Sequence, residues 1–124
     1  MTARELEALL GLIGPARHIV IGTDTSSRSD GERIAAAWGG VVLATVTWPE
    51  TAASWLRQAR RFAAPEPDAW VVSATPAGWA GMSRRLLLST SWSPHRTFAT
   101  SAPAGDPIPG LRGVHADGTT WETS

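Results

Sequence analysis

The chain has 124 residues, 43% of them hydrophobic, which is enough for one domain with its own core. Eleven Arg offset eleven Asp and Glu, so the formal charge is zero and gives no electrostatic case for nucleic acid or an anionic membrane. Cys and Lys are absent, which excludes disulfides, thiol catalysis, zinc–thiolate sites, Schiff bases and the P-loop.

Residues 3–13 carry Leu6, Leu9, Leu10 and Ile13 on one helical face, with Thr2 as cap and Gly14-Pro15 as stop. A first strand follows at about 17–23, apolar almost throughout, as a strand covered on both faces should be. The next helix, about 29–38, is capped by Ser27 or Ser29 and ended by Gly39-Gly40, glycine accepting the left-handed C-terminal conformation. A second strand spans 41–47. Pro49 suits the first turn of a third helix whose apolar face holds Trp55, Leu56, Ala59, Phe62 and Ala63. A third strand occupies 69–74, a fourth helix runs about 76–88 behind Thr75-Pro76, and Arg96–Thr100 forms a short fourth strand. From Ala102 on, Pro and Gly punctuate a tail without helical period; Asp117-Gly118 fits a tight hairpin, and Trp121 favours packing over one sheet edge.

Strands alternating with helices at this pitch predict a three-layer α/β/α domain over 1–101. Its doubly wound parallel sheet has the flavodoxin-like order 2-1-3-4, and residues 102–124 pack on it as an extension. In such sheets ligands bind beyond the carboxyl ends of the strands. That directs attention to Thr23–Ser27, Trp48–Glu50 and Ser73–Pro76. The hydroxyls of Thr25, Ser26, Ser73 and Thr75, with helix N-termini beneath them, could hold a small polar molecule, and Trp48 or Trp79 could wall it. Helix capping alone would also account for the Ser and Thr residues. The clusters Arg57-Arg60-Arg61 and Arg84-Arg85 read as solvated helix faces.

His18, His95 and His115 are scattered, with no metal-ligand spacing. A His115–Asp24 pair with a serine nucleophile can be drawn, but no G-x-S-x-G elbow accompanies it. Asp24, Asp30, Glu32 and Glu50 suggest a receiver-like carboxylate site, which the lack of any Lys and of an Asp at the end of the third strand argues against. No metal and no cofactor are expected. An all-Arg basic set with abundant Ala, Gly, Pro and Trp suits a GC-rich, actinobacterial-type genome.

Several stretches resemble one lobe of the type I periplasmic binding proteins, the ligand-capturing subunits of ABC transporters. They are Ile19–Asp24 with its Ser/Gly-rich sequel, Ile34–Val42 with its glycine-ended helix before a valine-rich strand, and Trp55–Arg60 leading into Pro67-Asp68 and Ala69–Val72. The likeness covers 17–101. It implies a non-catalytic site for an amino-acid-like ligand, contacted by Asp24, Thr25, Ser26, Ser73 and Thr75. That family has two lobes and is exported, whereas this chain has room for one and starts with no signal peptide. The expected partners are therefore a small polar ligand and a second lobe or second copy, with no nucleic acid and no membrane insertion. The expected location is the cytoplasm as written, or outside it if the lobe was excised from a longer exported protein. Two alternatives stand beside this reading. Seven Trp would mark a dimerisation or protein-interaction domain if several lie exposed together. A small hydrolytic or transfer enzyme would need a titratable cluster near Asp24.

Overall fold

The computed structural model describes residues 1–124. In chain order the elements are α1 (Ala3–Ile13), β1 (His18–Asp24), α2 (Arg28–Ala37), β2 (Val41–Trp48), α3 (Leu56–Ala63), β3 (Ala69–Ser73), α4 (Pro76–Ser89), β4 (Thr97–Ala99), β5 (Arg112–Val114) and β6 (Thr120–Glu122). One six-stranded sheet has the order β2-β1-β3-β4-β5-β6. All neighbouring pairs are parallel except β5–β6. This is the doubly wound α/β/α fold, with the switch point between β1 and β3, where the chain leaves β1 for one side of the sheet and returns to the other.

Period-two alternation along the buried strands divides the core into two layers. Ile19, Ile21, Ala69, Val71 and Phe98 meet Leu9, Ile13 and Ile34 of α1 and α2. Val20, Trp70, Val72 and Ala99 meet Phe62, Trp79, Met82 and Leu86 of α3 and α4. The second layer is aromatic. Trp48 packs edge-on against Phe62 and tilted against Trp79, and Trp79 meets Trp92 at 5.8 Å and 77°. The indole N–H groups of Trp79 and Trp92 have no acceptor, so their edge-to-face geometry supplies only the weak attraction of a ring face. Trp48, Trp70, Trp79 and Trp92 are buried, and Trp38, Trp55 and Trp121 are half-buried. The indoles therefore do not form an exposed cluster.

The tail departs from expectation. It does not lie over the edge of the sheet but continues it. β5 pairs with β4, and the Asp117-Gly118 turn returns β6 against β5 with Val114 opposite Thr120. Leu111 and Val114 are fully buried, one in each core layer. The hairpin itself is the one that Asp117-Gly118 predicts; its attachment to β4 depends on pairing with another strand, which local sequence does not encode.

Helix boundaries shift for local reasons. α3 begins at Leu56, not near Pro49; residues 49–55 form a loop held by the Trp55 indole donating to the Pro49 carbonyl at 2.8 Å. Ser27 makes no side-chain capping bond. α2 ends at Trp38 in extended conformation, and neither Gly39 nor Gly40 has positive φ. Gly40 is needed for space, since a Cβ there would run into the Arg17 carbonyl and the Trp38 indole nitrogen.

Candidate functional site

The carboxyl edge of the sheet is organised around Asp24, the last residue of β1, which is fully buried. One carboxylate oxygen accepts the Ser27 amide at 3.0 Å and so caps the 3-10 turn Thr25–Ser27. The other accepts from the Thr75 amide at 2.7 Å and the Thr75 hydroxyl at 2.6 Å. Thr75 in turn caps α4 by accepting the Gly78 amide at 3.1 Å. The Trp48 indole donates to the Gly78 carbonyl at 2.8 Å. The ends of β1, β2 and β3 are thereby tied into one unit. Gly78 is the residue that permits it: a Cβ there would sit 2.8 Å from Asp24 Cβ, 2.9 Å from its Cγ and closer still to its Oδ2.

A second network lies on the α1–α2 side. The Ser73 hydroxyl is buried, donates to Asp30 at 2.9 Å and accepts from Thr100 at 3.2 Å. Asp30 also pairs with the Met1 amino group at 3.4 Å. Buried Glu5 accepts the Ser101 amide at 3.3 Å and completes a capping box with Thr2.

The residues expected at the site therefore separate into four groups. Asp24 and Thr75 bond each other, and Ser73 bonds elsewhere. Only Thr25 and Ser26 stand exposed at the rim. Thr25 donates to the Trp48 carbonyl at 3.3 Å, and the Ser26 amide donates to one oxygen of Glu50 at 2.8 Å. Trp48 and Trp79, expected as an apolar wall, are core residues with 0% and 2% exposure. The Thr75 cap brings α4, and with it Trp79, down onto the sheet, where its ring covers Trp48 at the end of β2.

Sequence reasoning passes over Thr100 and Gly78 as site builders and weighs Asp30 and Glu50 only as carboxylates of a receiver-like site. Thr100 follows a strand that is legible in the sequence, so its position at a carboxyl end is legible too. Gly78 gives no signal, because its role depends on a residue 54 positions earlier in the chain. No group of three His, Cys, Asp or Glu side chains converges as a metal site. His115 follows β5, three strand spacings from β1, or about 14 Å, so it cannot pair with Asp24.

The opposite edge carries one of two perturbed carboxylates, Asp68; the other is Asp117, in the β5–β6 turn, its pKa lowered by the bonds it accepts from Thr119. Asp68 accepts the His18 amide at 2.9 Å and the Arg17 amide at 3.0 Å. These bonds, His18 first, hold its pKa below the ordinary carboxylate range, with the His18 ring 3.4 Å away adding a smaller effect. They staple the start of β1 to the approach to β3.

No protein-family model and no curated protein matches the chain. Among solved structures it is similar to the crystal structure of an ABC transporter permease from the Pseudomonas fluorescens group, with a TM-score of 0.58 and 13% identity. The match covers 91% of this chain and 32% of that one, so this chain spans about a third of its neighbour's length. At that identity the likeness shows the fold alone. No helix is long and apolar enough to cross a membrane.

Proposed function

We propose that the chain is a non-catalytic recognition lobe, similar in role to one lobe of a type I periplasmic binding protein. It would take a small, amino-acid-like molecule at the carboxyl edge, under a second lobe or a second copy. The observation that supports this reading is the Asp24–Thr75 tie across the switch point. It holds the Thr25–Ser27 turn rigid against the start of α4 while leaving Thr25 and Ser26 facing solvent. Glu50 adds an oxygen that makes no bond within the chain and suits an ammonium, while the hydroxyls suit a carboxylate. The neighbour's transporter description and its threefold greater length agree with a lobe that works beside another. A half-open site binds weakly, with Kd in the millimolar range. The test is an amide-resolved NMR titration of the chain with pooled amino acids. Shifts centred on Thr25 and Ser26 are expected; shifts elsewhere, or none, would overturn the reading.

A second reading, self-association, is favoured by β2. This edge strand is eight residues long and uncharged, it pairs only with β1, and Val41 and Leu43 are each 43% exposed. Natural edges are usually blunted by charge, proline or brevity, as β6 is by its three residues and Glu122. Two copies of β2 meeting about a two-fold axis would join both sheets. Sedimentation over a concentration series should show a dimer that Leu43→Lys disperses. A monomer at every concentration would exclude it.

A further inference from the structure

We propose that the outer face of the α3–α4 layer docks an acidic, amphipathic protein segment. The zero net charge conceals a strongly sided molecule. α3 contributes Arg57, Arg60 and Arg61, α4 contributes Arg84 and Arg85, and neither helix contains an Asp or Glu. The rest of the chain holds six Arg against eleven carboxylates. The two helices pack side by side, so clusters that looked separate along the sequence form one basic layer. The structure has two ion pairs, Met1–Asp30 and His18–Asp68, and no arginine lies within 4.0 Å of a carboxylate. The C-terminal dipole of α3 accounts for Arg60 and Arg61 in its last turn. It does not account for Arg57, Arg84 or Arg85.

The same face is apolar where it should be wet. Leu87 is 47% and Leu88 73% exposed. Beside them a hollow of about 400 Å³ has Trp55, Ala80 and Gly81 in its lining, together with Arg84, Arg85 and Leu88. The Trp55 N–H is already satisfied by Pro49, so the ring offers apolar surface. Across Arg84 lies a second hollow of about 260 Å³ lined by Leu87 and Ile108 and also by Asp106, so it suits an apolar anchor and the partner's carboxylates fall to the arginines. Arg84 thus stands between two recesses, each sized for one or a few side chains.

Charge complementarity selects an anionic partner, and the recesses select its kind. A duplex has no use for exposed leucines beside a cavity, and a bilayer surface is too flat to fill two hollows separated by a guanidinium. A peptide with alternating carboxylates and large apolar side chains matches both features, with apolar anchors seated in the hollows and carboxylates on the arginines.

The test is selection of a displayed library of random peptides on the intact chain, followed by binding of labelled selected peptides. Enrichment of sequences combining Asp or Glu with Leu, Phe or Trp is expected, with Trp55 fluorescence responding. Arg84→Glu and Leu88→Glu sit at exposed positions and should leave circular dichroism unchanged. Each should weaken binding roughly tenfold, and salt should weaken it further. Failure to enrich, enrichment of basic or uncharged peptides, or affinity unchanged in both variants would overturn the proposal. So would a preference for phosphatidylglycerol vesicles or duplex DNA over every selected peptide.

Discussion

Gly78→Ala should destabilise the protein, although helix propensity alone predicts the opposite. Position 78 lies in the first turn of α4, and its φ is not in the left-handed region. An ordinary Gly→Ala change there would stabilise by about 0.5–1 kcal/mol. Here the added methyl would fall within 3 Å of three Asp24 side-chain atoms, and Asp24 is fully buried with nowhere to go. Either α4 lifts from the sheet or Asp24 swings away from the Thr75 amide and hydroxyl. Two hydrogen bonds to a buried carboxylate contribute about 1.5–3 kcal/mol each. Partial relaxation recovers some of that, leaving a net loss of about 2–4 kcal/mol. The melting temperature should fall by roughly 8–15 °C, followed by far-UV circular dichroism. Gly11→Ala is the internal control. That residue is in α1 with nothing within 4 Å of where its methyl would sit, and it should gain about 0.5–1 kcal/mol. In an Asp24→Gly background all three crowding atoms, Cβ included, are gone, so Gly78→Ala should turn neutral or stabilising, a coupling of about 3 kcal/mol. A neutral or stabilising Gly78→Ala in the wild-type background would refute the rigid Asp24–Thr75 tie on which the proposed binding edge rests.

Leu111→Ala should cost about 2–4 kcal/mol in urea unfolding, because its fully buried side chain makes the tail part of the core; a loss under about 0.5 kcal/mol would mean the tail is only appended. Thr2→Ala removes the capping-box acceptor of the Glu5 amide and the donor to the Ala116 carbonyl, and should lower stability by about 1 kcal/mol. Asp68→Asn should flatten the acid limb of the stability curve. The folded-state pKa of Asp68 is lowered, so its contribution is full above the ordinary carboxyl range and fades as pH falls below about 4. Because Asp68 is exposed the effect should be modest, and thermal melts between about pH 2 and 6 that leave wild type and variant parallel would contradict it.

The alternation of strand and helix, the Thr2 and Thr75 caps and the order of the first four strands were legible along the chain. The alternation and the caps depend on residues within a few positions of one another, where local periodicity and capping chemistry act, and the strand order follows from the handedness and short connections of alternating strand–helix chains. Tertiary structure decided what the polar loop residues do. Asp24 and Thr75 looked like two ligand contacts, and they are each other's partners, because parallel pairing of β1 with β3 brings residues 51 apart within hydrogen-bonding distance. Trp48 and Trp79 looked like a rim and are core, because α4 seats on Asp24 and brings Trp79 over Trp48 at the end of β2. The hairpin about Asp117-Gly118 was legible, but that it joins the sheet was not, because this depends on the open edge of β4. Net charge is a sum over the whole chain, whereas an electric field depends on position. The zero balance of eleven against eleven therefore gave no hint that folding would place five arginines on one layer with no carboxylate in either of its helices.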